Sequence, residues 1–259
     1  MLRVVDSGSD RVVHVGRRGA MVRIHVRGVR VDRRATLREL RAIMVADLLR
    51  RVTEELSACQ VFTTLLPSEL PERPNIPADL AQDLSALWIQ TPSLATAPPR
   101  ETAHVVIDVD GSAGDVWEPV RVVIGPVDTD QGPSATLADL VAGGRDPLEV
   151  RLALLGARHD HPVSVREADL ARAAETLGRW RDDIAAWARH PSAAMPQERV
   201  DRAYHALEDN LDAATVLHVL ASIADDPDVP EGAKFETFVH LDRFLSLDLA
   251  RGLAVSHAG

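Results

Sequence analysis

Two groupings in this 259-residue chain carry side chains able to do chemistry. The first is a run of arginines: Arg27, Arg30, Arg33, Arg34, Arg38, Arg41, Arg50 and Arg51. Guanidinium groups at this density can clamp a carboxylate, a phosphate or an RNA backbone, because each offers a planar fork of donors. The same run also reads as the solvated face of a helix in an arginine-rich chain. The second grouping is Arg158-His159-Asp160-His161. A His-x-His pair can ligate a metal, but cationic side chains at a helix end also complement its dipole and need no metal to explain them. Cys59 is the only cysteine, so neither a disulfide within the chain nor a thiolate zinc site can be assembled, and it reads as a packed thiol. His104, His205, His218 and His240 stand alone in the sequence and read as packed or surface residues. No GxxxxGK[ST], GxGxxG or Gly-x-Ser-x-Gly pattern occurs.

The elements that must position these groups follow from periodicity. LRVV, RVVHV and MVRIHVRGV alternate β-branched residues at period two and predict strands. Thr36-Leu37-Arg38-Glu39 predicts a capping box, in which the Thr hydroxyl accepts from the Glu39 amide and the Glu side chain reaches back. Leu37, Leu40, Met44, Leu48, Val52 and Leu56 follow at helical spacing, a helix of about five turns. Residues 67–100 read as a proline-rich loop holding one helix around LAQDLSALWI. HVVIDV and VRVVIG predict buried strands, and strands divided by helices predict an α/β sheet. Beyond Gly143-Gly144, read as a helix C-cap, Asp146-Pro147-Leu148-Glu149 begins a helix and Ser164-Val165-Arg166-Glu167 predicts a second capping box. Leu170, Ala173, Leu177, Trp180, Ile184 and Trp187 form the seam of a long helix. Further helices are expected near 197–209, 212–225, with Asp212 as N-cap, and 232–250, so this half reads as a helical bundle.

Composition sets outer bounds. The length allows one large domain or two small ones. With aromatics at 3%, the core must be built from Leu, Val, Ala and Ile. A net charge of -10 repels nucleic-acid phosphate everywhere except near the arginine run. The N-terminus MLRVVDSGSD lacks the apolar run of a signal peptide, and no segment approaches the roughly 18 apolar residues of a membrane span. The expectation is a cytoplasmic protein with no membrane partner.

Two long segments resemble one enzyme family. LRVVDSGSDRVVHVGRRGAMVRIHVRGVRVDRRATLRELRAIMVADLLRRV is similar to the opening of cysteinyl-tRNA synthetases and of the related ligase that joins cysteine to glucosaminyl-inositol in mycothiol biosynthesis. ATLADLVAGGRDPLEVRLALLGARHDHPVSVREADLARAAETLGRWR, running on to YHALEDNLDAATVLHVL, is similar to the segment after the family's KMSKS loop and to its helical domain. IDVDGSAGDVWEPV between them resembles the family's Gly-rich turn. The resemblance implies a reduced Rossmann-like domain over residues 1–145 and a helical bundle over 146–259. It also implies that Gly28, Gly111 and Asp115 stand at nucleotide-binding positions, although a plain Gly/Asp turn kept for folding explains them too.

The departures from the family point the other way. Arg27-Gly28 stands where the family has a zinc-ligating Cys-Gly, and Val120-Arg121-Val122 where it has His-His-Glu. Thr36-Leu37-Arg38-Glu39 replaces His-Ile-Gly-His, which opens a helix that grips ATP phosphates. Pro126-Val127-Asp128-Thr129-Asp130 replaces KMSKS, and Lys234, the only lysine, lies far away in the helical half. Adenylation needs cationic or hydrogen-bond stabilisation of a pentavalent phosphorus transition state. The sequence therefore predicts a truncated, degenerate relative with no catalytic residues. It predicts no required cofactor, no zinc, at most residual ATP or adenylate binding, and a protein partner ahead of tRNA. The alternative is an enzyme of altered chemistry whose Arg27 and Arg38 hold an anionic ligand. Loss of a family insertion should also bare one edge of the sheet for a partner; a polar edge capped by the chain itself would count against that expectation.

Overall fold

The structure, a computed structural model, describes residues 2–67, 69, 71, 75–96, 103–109, 120–251 and 253. Its elements in chain order are β1 (Arg3–Asp6), β2 (Arg11–His14), β3 (Met21–Arg27), α1 (Leu37–Ser57), β4 (Gln60–Leu66), α2 (Ala78–Ala86), β5 (Ser93–Leu94), β6 (Val105–Asp108), β7 (Val120–Val123), β8 (Val127–Asp128), α3 (Leu137–Ala142), α4 (Pro147–Leu155), β9 (Val163–Ser164), α5 (Glu167–Trp187), α6 (Gln197–Glu208), α7 (Ala213–Ala224) and α8 (Glu231–Leu245).

Five parallel strands in the order β5-β4-β3-β6-β7 form the central sheet. The order runs outward in both directions from β3, so the topological switch lies between β3 and β6. An α/β sheet of this kind offers its ligand crevice beyond the strands' C-terminal ends at that point. The fold is α/β and Rossmann-like, as the sequence predicts, with several helices after the sheet.

Residues at alternate positions of β3 explain its central place. Val22, Ile24 and Val26 are buried and join Leu65, Val105, Ile107 and Val122 in one core that also receives Leu40, Ile43 and Met44 of α1. Helix α1 is buried around most of its circumference, including Arg41 and Asp47. The expected solvated arginine face is therefore absent, because the helix is enclosed by the sheet and by α8. In the second half, Leu170, Ala173, Leu177, Trp180, Ile184 and Trp187 are the buried residues of α5, as the seam predicts. Trp180 and Trp187 both meet Phe238 of α8 edge-on, at 5.5 and 5.1 Å.

Three local expectations need correction. The strand β4 lies between Cys59 and the proline-rich loop, a stretch with no predicted element. Helix α5 begins at Glu167 rather than after a Ser164 cap. Asp169 accepts from the Arg166 amide at 3.0 Å, while Ser164 sits in β9 and reaches the same carboxylate. Helix α8 stops at Leu245, five residues short of expectation. Ser246 adopts φ 52°, and the Asp242 carboxylate accepts from the Leu247 and Leu249 amides at 2.7 and 2.9 Å.

The edge formed by β7 is capped by the chain's own N-terminal hairpin. Ser7 N–H donates to the Arg121 carbonyl at 2.8 Å, and Arg121 N–H donates to Asp6 Oδ1 at 2.9 Å. Val123 N–H donates to Ser7 Oγ at 3.1 Å. This polar, self-supplied cap overturns, at β7, the expectation of a bare sheet edge. No helix of the described residues is long and apolar enough to cross a membrane.

Candidate functional site

A cleft of about 660 Å³ opens at the switch point. Gly28, which follows β3, and Val109, which follows β6, form part of its lining, with Arg30, Arg33, Arg38 and Glu39 around them. Gly28 has φ 81°, a left-handed turn that L side chains rarely adopt, and this turn carries the chain from β3 toward α1.

The N-terminus of α1 faces this cleft, and two of its first-turn donors are already engaged. The Leu37 amide donates to the Ala135 carbonyl at 2.9 Å and the Glu39 amide to Thr36 Oγ1 at 3.3 Å. Glu39 is buried and accepts on both oxygens. Oε1 receives Arg30 N–H at 2.8 Å and Arg33 Nη2 at 3.1 Å. Oε2 receives Thr36 N–H at 2.7 Å, the Thr36 hydroxyl at 2.8 Å and Arg33 Nη1 at 2.9 Å. A helix N-terminus favours an anion through its free amides and its dipole. Here the Glu39 carboxylate stands at that end and takes the Thr36 amide and hydroxyl, so phosphate would approach it against its charge. The residues present do not fit a triphosphate grip.

The positions that resemble zinc ligands fit no better. Asp108, buried at the end of β6, accepts from Arg27 at 3.3 Å and Arg121 at 3.2 Å, one cation on each neighbouring strand. Two guanidinium groups flanked by valines offer zinc no lone pair. In the Pro126–Asp130 segment, Asp128 pairs with Arg166 at 2.7 Å and Asp130 accepts from the Glu167 amide at 2.9 Å. Both carboxylates fix the start of α5.

The predicted arginine run is divided among separate partners. Arg27 meets Asp108, Arg30 meets Asp32, Arg33 meets Glu39 and Arg34 meets Asp83. Arg38 lines the cleft and donates to the Ile124 carbonyl at 3.0 Å, while Arg27 is engaged with Asp108 and is not among the residues lining the cleft. Gly111 and Asp115 lie outside the described residues.

Two arginines of the junction carry structure rather than a site. Arg41 is fully buried and donates to the carbonyls of Gly125, His161, Ala157 and Arg158 at 3.0, 2.9, 3.3 and 3.0 Å. Its neighbour Gly125 has no room for a side chain, since a Cβ would lie 2.2 Å from the His161 carbonyl oxygen. Arg151 of α4 is equally buried and donates to Leu245 and Leu87, each at 2.6 Å, beside Asp47 of α1 at 3.8 Å. Burial lowers both guanidinium pKa values to about 10, which leaves them charged at neutral pH. Sequence reasoning missed Asp47, Asp108 and Arg151. The available signal was a charge inside an otherwise apolar run, as in AIMVADLL, HVVIDV and EVRLALL.

The Arg158-His159-Asp160-His161 cluster belongs to the same junction. His159 is buried beside the Asn210 side chain. Burial lowers its pKa to about 4. Burial pushes Asp160 upward, but hydrogen bonds from Arg158 and His161 outweigh it and hold the carboxyl at about 2. Asn210, at φ 57°, ties the two halves together: its Oδ1 accepts from Val5 N–H at 3.0 Å and its Nδ2 donates to Asp160 at 3.3 Å. Among the described residues, no group of three His, Cys, Asp or Glu is placed to hold a metal ion.

No family model matches the chain. The L-cysteine:1D-myo-inositol 2-amino-2-deoxy-alpha-D-glucopyranoside ligase of Thermobifida fusca (strain YX) is 35% identical over 102 residues. The match covers 36% of this chain and 24% of the ligase. It supports a relationship to cysteine ligases and synthetase-like proteins over that stretch.

Proposed function

We propose that the chain is a truncated and degenerate cysteine ligase-like protein that does not form cysteinyl-adenylate and acts as a binding or regulatory partner. Residues 1–145 are then the remnant of the nucleotide-binding half and 146–259 its helical bundle. The observation that carries this reading is Glu39, whose carboxylate takes five hydrogen bonds at the helix end where the family it resembles grips ATP phosphates. The chemistry of the residues at the zinc and KMSKS positions supports it further. The partner is a protein, a true ligase or a pathway enzyme, ahead of tRNA; the setting is cytoplasmic, and neither zinc nor another cofactor is required. Cysteine-dependent ATP–pyrophosphate exchange tests the reading. No exchange is expected, and exchange that Asp115→Ala abolishes would overturn it.

The open cleft favours a second reading, an enzyme of altered chemistry with an anionic or adenylate-type ligand beside Arg38. On that reading AMP or pyrophosphate binds the cleft, and Arg38→Ala loses the affinity while the fold is kept. Equal affinity in the variant and the parent eliminates it.

A further inference from the structure

The hairpin that caps β7 has an outer edge of its own that is bare among the described residues. Antiparallel strands alternate between pairs that exchange backbone hydrogen bonds and pairs that do not. Val15 N–H donates to the Leu2 carbonyl at 2.9 Å, which sets the phase of the β1–β2 ladder. Val4–Val13 and Asp6–Arg11 therefore face each other, while Arg3 and Val5 turn their backbone groups outward on β1, and Val12 and His14 do so on β2. On the β1 side these groups are engaged: Asn210 N–H donates to the Arg3 carbonyl at 2.8 Å, and Val5 N–H donates to Asn210 Oδ1 at 3.0 Å. On the β2 side, no partner for Val12 or His14 is present among the described residues. Arg11, Val12 and His14 are exposed, and Val12, at 57%, is the most exposed large hydrophobic residue described. An edge without a proline or a bulge is a template for another strand.

The phase of the ladder makes this edge complementary to itself. Two copies set antiparallel about a dyad at Val13 place Val12 opposite His14 of the mate, and His14 opposite its Val12. That gives two hydrogen-bonded pairs and about four backbone hydrogen bonds, with the two Val13 residues facing each other between them. In this register each copy's exposed Asp10 lies toward the mate's Gly16–Arg17 turn, next to its own exposed Arg11. We propose that the outer edge of β2 is a self-association surface through which two copies form a continuous β1-β2-β2-β1 sheet. Two four-residue strands make a contact smaller than the roughly 1,200 Å² of stable complexes, so the dimer is weak and forms with rising concentration.

Sedimentation velocity of the full chain from about 5 to 500 µM tests this, together with hydrogen exchange at both ends of that range. The expected result is a dimer at high concentration in which the Val12 and His14 amides gain protection. Val12→Pro removes an outward N–H while leaving the Val4–Val13 and Asp6–Arg11 pairs intact, and it should weaken the dimer at least about tenfold. Val12→Arg keeps every backbone donor and should weaken it as well, which decides the matter if the proline variant folds poorly. A wild-type chain that stays monomeric throughout overturns the proposal. So does a dimer that survives Val12→Arg, one whose protected amides lie elsewhere, or a strictly monomeric chain that captures an added strand peptide on β2.

Discussion

The N-terminus and the interior of α1 use charge for opposite purposes. At its N-terminus, beside the cleft, a single carboxylate gathers donors from Arg30, Arg33 and Thr36 and closes a place where an anion could bind. Deeper in the helix, Arg41 and Asp47 reach across to carbonyls and to Arg151 in the helical half. The first arrangement lies at the rim of a cleft and governs what can bind. The second is enclosed and governs whether the halves stay joined. The comparison teaches that arginines counted together in the sequence need not act together: one helix directs them into a rim, a core and a junction.

Breaking the junction should have the larger effect. Arg151→Met strands the Leu87 and Leu245 carbonyls and leaves Asp47 without a buried partner, so a loss of about 3–5 kcal/mol is expected by urea denaturation. Asp47 keeps Arg50 and Arg51, which sets the loss toward the lower end of that range. Arg41→Met orphans the Gly125, His161 and Ala157 carbonyls, while the Arg158 carbonyl keeps the His161 amide at 2.9 Å, and it should cost about 2–4 kcal/mol. A loss below about 1 kcal/mol for either variant, well under the cost of one unpaired buried group, would mean that water or a rearranged chain replaces the guanidinium.

His159 sharpens the same comparison through pH. Its folded-state pKa of about 4 lies below the ordinary 6.5, so the unfolded chain takes up the proton first. Its contribution is full above about pH 6.5 and is lost as the pH falls toward 4, by roughly 2–3 kcal/mol. His159→Leu should flatten this part of the stability profile between pH 7 and 4, as followed by thermal melts. An unchanged profile would place the acid sensitivity elsewhere.

At the rim, Glu39→Ala should cost only about 1–2 kcal/mol, the scale of a lost cap and its hydrogen bonds. It should nevertheless raise the affinity for tripolyphosphate at least about tenfold, because it removes a charge and frees donors at the helix end. Calorimetric titration of the two proteins measures both sides of this prediction. No gain in affinity would show that Glu39 does not seal the site.

Local signals in the sequence disclosed most of the helical frame. The Thr36–Glu39 capping box, the Asp146 and Asp212 N-caps and the α5 seam all appear where residue type and spacing place them. The strand β4 escaped because QVFTTLL sets Val61-Phe62 and Leu65-Leu66 around two threonines and so shows no period-two alternation, and its identity as a strand rests on pairing with β3 and β5. The site was less legible for the same physical reason. Arg41 meets its carbonyls 84 to 120 residues away, and the Asp108 pair with Arg27 spans 81, so no local window contains both partners. Glu39 was visible as the closing residue of the capping box, whereas its role as the acceptor for Arg33 depended on how the loop folds back.

The most direct test of the sealed cleft is a thermal-shift measurement on the wild-type chain with millimolar ATP, cysteine and a non-hydrolysable cysteinyl-adenylate analogue. A ligand that binds only the folded state must raise the melting temperature. The account predicts no shift with any of the three, while tripolyphosphate raises the melting temperature of Glu39→Ala. A clear rise with ATP or the analogue on the wild-type chain would contradict it and return the cleft to nucleotide binding.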